Sequence, residues 1–243
     1  MSRTVIITGA SRGLGLSLTR RFLQAGDRVF GISKTQQYWK SALATIPDHK
    51  NLSFHVLDLT KESQVLKFVR IFKVKASRID ILINNAGYGG RLMRTEDHSL
   101  NEFERHLSVN LISAFLMCKY FIPIFRSQKQ GMILNISSMA GKRAVPNLAG
   151  YSVSKFGILA LTQAIAKENT DVDLKCVTVC PGGMNTQMRS DLFGEEDAVK
   201  QQSTDFVADK IIKIADGEIP LASGSDIVIR HNKITAVEVP PNS

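Results

Sequence analysis

The sequence is poor in cysteine and proline, with three and seven of them in 243 residues. Cys118, Cys176 and Cys180 are odd in number and lie in apolar stretches. That excludes a full disulfide framework and points to free thiols in a reducing compartment, the cytoplasm. Cys176 and Cys180 stand at an even offset within an extended segment, so they share a strand face and do not read as metal ligands. No metal site is expected. No Pro/Gly/Ser-rich linker, charge block or internal repeat divides the chain, and one domain over residues 1–243 is expected.

Targeting and membrane signals are also missing. Met1-Ser2-Arg3-Thr4 leads straight into Val5-Ile6-Ile7, without the regions of a secretory signal, so none is expected. The longest apolar run, Leu107 to Phe125, is interrupted by Ser108, Asn110, Ser113 and Lys119 and meets Pro123. A membrane span needs about 20 mostly apolar residues, so this run reads as a buried helix and no membrane partner is expected. Charge is uneven, with 31 Lys and Arg against 22 Asp and Glu for a net +9. The cations are scattered, however, paired only as in Arg20-Arg21 and Lys142-Arg143. They form a solvated basic surface, and no nucleic-acid partner is expected.

What is present is alternation. Short β-branched runs at Thr4–Thr8, Val29–Ile32, Leu52–Leu57, Ile79–Ile83, Met132–Ile136, Leu174–Val179 and Asp226–Ile229 read as strands. Helical patterns cover Leu14–Gln24, Glu62–Val74, Leu100–Phe125 (broken or kinked), Tyr151–Glu168 and Phe206–Ala215. Continuously apolar strands alternating with helices predict an α/β fold: a Rossmann-like, doubly wound parallel sheet of about seven strands with helices on both faces. Ligands of such a sheet bind at the carboxyl ends of its strands.

Directly after the first strand stands Thr8-Gly9-Ala10-Ser11-Arg12-Gly13-Leu14-Gly15. Gly9, Gly13 and Gly15 sit where a phosphate can approach backbone N–H groups at a helix start. The spacing differs from the commoner Gly-x-Gly-x-x-Gly, and a turn serving only tight packing is the alternative. Ser11, Arg12 and Leu14 belong to the same turn. A carboxylate after the second strand would select NAD(H), but Ser33 and Lys34 stand there. With Arg12, Lys34 can neutralise a 2′-phosphate, so NADP(H) is expected, with NAD(H) as the alternative. Asp58 and Leu59 follow the third strand and fit an adenine contact, although Asp58 also fits a helix cap. Asn85, Ala86 and Gly87 follow the fourth strand, where small residues allow close packing against a flat ligand.

Tyr151 and Lys155 are four apart, on one helix face with Cβ atoms roughly 5–6 Å apart. An ammonium beside a phenol pulls its pKa toward the working range, making Tyr151 a usable acid. Ser138, at a strand end thirteen positions earlier, can join the phenol in bonding one carbonyl oxygen. Strand capping, a helix-start aromatic and a surface charge are the bland alternatives for Ser138, Tyr151 and Lys155.

Taken in order, Thr8-Gly9-x-x-x-Gly13-x-Gly15, Asp58, Asn84-Asn85-Ala86-Gly87, Asn110, Ser138, Tyr151-x-x-x-Lys155 and Pro181-Gly182 resemble the short-chain dehydrogenase/reductase family across nearly the whole chain. The resemblance implies that Tyr151 is the proton donor and Ser138 polarises the carbonyl. It implies that Lys155 holds the nicotinamide ribose, and that Asn110 holds a water linking Lys155 to solvent. Pro181, Gly182, Met184 and Thr186 would grip the nicotinamide end, with a substrate-side segment near 184–200. The expected function is an NADP(H)-dependent carbonyl reductase or alcohol dehydrogenase acting on a small or medium carbonyl or hydroxyl compound. A non-catalytic dinucleotide-binding regulator and a nucleic-acid-binding protein are the rivals. Relatives often end their last strand in glycine, where this chain has Ile229-Arg230-His231-Asn232-Lys233. That disfavours the family's tetramer, and a homodimer through the long apolar helices is expected.

Overall fold

A computed structural model describes residues 2–46 and 50–240; residues 1, 47–49 and 241–243 lie outside the described residues. Its strands are β1 (Thr4–Thr8), β2 (Arg28–Ser33), β3 (Leu52–Val56), β4 (Ile81–Asn84), β5 (Gln130–Ile136), β6 (Asp173–Pro181), β7 (Asp226–Arg230) and β8 (Lys233–Glu238). They form one sheet in the order β3-β2-β1-β4-β5-β6-β7-β8. All pairings are parallel except β7 with β8. The expected seven strands are therefore eight. The extra one folds back through a two-residue turn at His231 and Asn232, both with positive φ (53° and 55°), the backbone such tight hairpins require.

Alternation along each strand feeds two cores. On β1, Val5 and Ile7 join Leu14, Leu18 and Phe22 of α1 (Gly13–Gln24) and Val207 and Ile211 of α9 (Thr204–Ala215). Ile6 points the other way, to Phe68 and Phe72 of α3 (Glu62–Lys75) and Phe121 and Phe125 of α5 (Ser113–Gln128). Each fully buried side chain of this size contributes about 1.5–3 kcal/mol. Three short helices lie outside the expected set: α2 (Gln36–Leu43), α7 (Gln187–Phe193) and α8 (Glu195–Ala198). Two residues of α2, Trp39 and Ala42, are buried and α7 buries none, too little to leave a helical apolar pattern.

The long helical run is irregular as expected, at a place the sequence does not mark. α4 (Leu100–Leu107) passes through a π turn, Ser108–Ile112, into α5, while Pro123 lies within α5. Leu100–Gln128 is the one helix among the described residues long and apolar enough to cross a membrane, and its Met117, Phe121 and Phe125 are fully buried in the protein.

Candidate active site

At the carboxyl end of β1 the chain turns sharply. Gly9 and Gly13 have positive φ (65° and 51°), and a Cβ on Gly15 would lie 2.0 Å from the Gly9 carbonyl oxygen. A side chain is sterically excluded at Gly15 and disfavoured by the positive φ at Gly9 and Gly13. Arg12 precedes α1 without a capping side chain, and the first helical turn holds no acid, so its N–H groups and positive dipole end suit an anion. Thr186 faces the turn, its methyl 3.4 Å from where a Gly13 Cβ would stand. Asn85 fastens the neighbouring strand end, its Nδ2 donating to the Thr8 carbonyl at 2.9 Å, while the Asn85 and Ala86 N–H groups donate to Thr8 Oγ1 at 2.9 Å. Leu14 and Leu59 bury their side chains in the two cores, leaving only backbone for a ligand.

After β2, Ser11 Oγ donates to Ser33 Oγ at 2.7 Å, and the Arg12 guanidinium lies over the Tyr38 ring at 4.7 Å. Lys34 Nζ pairs with Asp58 Oδ2 at 2.9 Å. Burial works to raise the Asp58 carboxyl, but Lys34 and Thr60 outweigh it and hold it below its ordinary range. Asp58 does not cap α3, whose cap position is Lys61. It accepts instead from Thr60 N–H at 3.0 Å and Thr60 Oγ1 at 2.7 Å.

Tyr151 and Lys155 lie in the first two turns of α6 (Ala149–Glu168). Ser138, just after β5, accepts from Ala140 N–H at 3.1 Å, and its hydroxyl works to lower the pKa of the neighbouring Tyr151 phenol. Lys155 is 4% exposed, and its Nζ donates to the Ile136 carbonyl at 2.9 Å. Burial lowers its pKa to about 8, against a smaller raising influence of Cys180. The expected depression of Tyr151 by Lys155 is absent. Burial raises the phenol and Ser138 alone opposes it. The ammonium is turned to Ile136 and sits 5.7 Å from the ring centroid.

Asn110 lies in the π turn, 2% exposed. Its Oδ1 accepts from Tyr88 N–H at 2.7 Å, and its Nδ2 donates to the Tyr88 carbonyl at 3.0 Å and Ser154 Oγ at 2.9 Å. With these partners the amide clamps the loop after β4. This loop runs under Lys155: a Cβ on Gly87 would lie 3.6 Å from Asn110 Oδ1 and 3.8 Å from Lys155 Nζ. Tyr88 and Ser154 are the partners that sequence reading missed. A buried amide's need for partners was their only signal.

Pro181 ends β6, Gly182 N–H donates to the Ile229 carbonyl at 2.8 Å, and Met184 packs against the core. Thr186 caps α7, accepting from Arg189 N–H at 3.3 Å. Gly89 lies under α7, where an added Cβ would approach Met188 to 2.9 Å and Leu192 to 3.1 Å. The 184–200 segment thus covers the loop after β4. Two surface hollows, one beside Arg20 and Arg21 and one at the amino ends of β1, β4 and β5, share no residue with this groove. Among the described residues no group of three or more His, Cys, Asp or Glu could hold a metal.

The family model described as short chain dehydrogenase matches residues 3–197. The chain is 33% identical over 187 residues to oxidoreductase BOA17 of Botryotinia fuckeliana, covering 76% of this chain and 67% of that protein. A 3-ketoacyl-(acyl-carrier-protein) reductase of Brucella melitensis complexed with NADH superposes with a TM-score of 0.86 at 25% identity, over 93% of this chain and 96% of that one. ElxO with NADP bound gives 0.84 at 26% identity, over 94% and 97%.

Proposed function

The chain belongs to the short-chain dehydrogenase/reductase family of oxidoreductases, and from that premise we propose an NADP(H)-dependent carbonyl reductase or alcohol dehydrogenase of small or medium substrates. One observation carries the proposal: the Ser138 hydroxyl stands near enough to the Tyr151 phenol to lower its pKa, with the buried Lys155 ammonium 5.7 Å from the ring centroid, at the same sheet end as the glycine turn. The nicotinamide, when bound, supplies or accepts hydride. Gly9, Gly13, Gly15 and the start of α1 fit its diphosphate. Arg12, Ser33 and Lys34 fit a 2′-phosphate, Asp58 and the Leu59 backbone the adenine, Ala86 and Gly87 the ribose side, and Pro181 to Thr186 the carboxamide. Lys155 lies within reach of the ribose side through Gly87. Tyr151 gives its proton to the carbonyl oxygen, and Ser138 bonds that oxygen as charge develops. A pure sensor has no use for that paired phenol.

The cofactor has two readings. Arg12, oriented on Tyr38, and Lys34 favour NADP(H). The Asp58 carboxylate engages Lys34 and leaves NAD(H) as the second. Measuring kcat/KM with each dinucleotide over a panel of carbonyl compounds tests the reading. A preference for NADPH supports it and a preference for NADH overturns the cofactor assignment. We further propose a cytoplasmic homodimer. Ile112, Phe115, Val153 and Phe156 present apolar surface, each 43–48% exposed, on the π turn, α5 and α6, a face suited to a second copy. β8 covers the β7 edge, where a further interface would otherwise form.

A further inference from the structure

One buried titratable group in the groove has no task in that chemistry. His106, near the end of α4, is 1% exposed. Its ring stands edge-on to Tyr151, with centroids 6.3 Å apart and planes at 72°. Two glycines make room for it. A Cβ on Gly90 would lie 2.5 Å from Nε2, and one on Gly150 would lie 2.8 Å from Cδ2. Tyr88 packs on it at a centroid distance of 5.1 Å, and His98 at 6.3 Å. Nε2 is 3.9 Å from Glu102 Oε1, the oxygen that accepts the Tyr88 hydroxyl at 2.7 Å. Nδ1 of His106 and both ring nitrogens of His98 are buried without a hydrogen-bond partner among the described residues.

We propose that His106 is a positioning residue for Tyr151, backing the phenol while neutral and releasing it when protonated. The proposal rests on the oxidoreductase reading above. The neutral ring is a wedge: it fills the space between Gly90 and Gly150 and meets the Tyr151 ring in a T-shaped arrangement, a favourable aromatic geometry. Glu102 and Arg105 lie on its own helix, His98 on the preceding loop, Tyr88 on the loop after β4 and Tyr151 on α6. Burial is the largest influence and keeps the imidazole neutral. Glu102 and the Tyr88 backbone oppose it, while His98 and Arg105 add to it, so protonation comes below the ordinary histidine range.

A proton on Nε2 competes with the Tyr88 hydroxyl for Glu102 Oε1. Tyr88 also carries both backbone bonds to Asn110. Loosening it frees the Gly87–Gly90 loop and withdraws the support of Tyr151 together.

The test uses His106→Gln, which keeps a flat polar group but cannot titrate, and His106→Ala, which removes the wedge. Turnover is followed through roughly pH 5 to 8, where histidine changes charge, alongside dinucleotide Kd. Tyr151 ionisation is read separately as ultraviolet tyrosinate absorbance, isolated by difference from Tyr151→Phe. The wild type is expected to lose kcat at the acid end of this range, and His106→Gln to keep it. His106→Ala is expected to lose about 10- to 100-fold in kcat at neutral pH with Kd little changed, and its Tyr151 to titrate closer to an ordinary tyrosine. An unchanged acid limb in His106→Gln, or wild-type Tyr151 titration in His106→Ala, overturns the proposal. If His106→Ala does not fold, the pH limb of His106→Gln decides alone. If the wild type turns over no carbonyl at all, the oxidoreductase reading falls, and the tyrosinate titration, which needs no substrate, still decides the part of His106.

Discussion

Replacing Lys155 with methionine is expected to stabilise the protein while disabling it. Lys155 is 4% exposed, and its ammonium donates to the Ile136 carbonyl. Burial lowers its pKa from 10.5 to about 8. At about 1.4 kcal/mol for each tenfold change in the proton equilibrium, burying the charge costs about 3 kcal/mol. Methionine keeps the unbranched stem and removes the charge. It also forfeits the hydrogen bond, a loss of about 1 kcal/mol. The net gain at neutral pH is about 2 kcal/mol, a rise in Tm of about 4–8 °C for a chain of this size. Between about 8 and 10.5 the unfolded chain holds a proton that the folded lysine has released, so wild-type stability rises with pH across that window. Lys155→Met should therefore lose its advantage between those values. Thermal denaturation of both proteins without dinucleotide, in steps of pH, measures this, and kcat is expected to fall at least about 100-fold. A variant less stable than wild type at neutral pH, or a Tm difference that ignores pH, would refute the reasoning.

Three further outcomes follow from the same geometry. Gly15→Ala drives a methyl onto the Gly9 carbonyl at 2.0 Å. It should weaken dinucleotide binding at least tenfold and cost about 1–3 kcal/mol of stability, read by fluorescence titration and denaturation. Arg12→Ala should raise KM for NADPH about tenfold and leave NADH nearly unchanged, since one charged contact is worth roughly 1.5–3 kcal/mol; equal effects on both would remove Arg12 from the 2′-phosphate site. Phe156→Glu places a charge in the exposed apolar face of α6 and should yield monomers by light scattering, whereas an unchanged mass would move the interface elsewhere.

The sheet was legible because its strands are apolar on both faces, and periodicity reports burial. Val5, Ile6 and Ile7 could be placed without knowing their partners. β8 escaped notice because its Lys233, Thr235 and Val237 are exposed and no buried face patterns it. α2 escaped because Trp39 and Ala42 are its whole buried surface. The site residues were legible as types at spacings, and Tyr151 and Lys155 share one helix whose start lies near Ser138. Their orientations were not. Spacing puts Lys155 on the same helix face as Tyr151, but the Ile136 carbonyl that turns the ammonium belongs to another element. The Lys34–Asp58 pair and the Tyr88 clamp on Asn110 each join residues more than twenty positions apart, which no local pattern records. His106 carried no motif, and only the neighbouring glycines in three dimensions explain how it fits.

The proton donor is the centre of the account, and Tyr151→Phe reaches it directly. Phenylalanine keeps the ring against His106 and removes only the hydroxyl near Ser138. With NADPH and a carbonyl compound that the wild type reduces, kcat is expected to fall at least about 1,000-fold while the Kd for NADPH stays within about twofold. Turnover at the wild-type rate with NADPH bound would contradict the account.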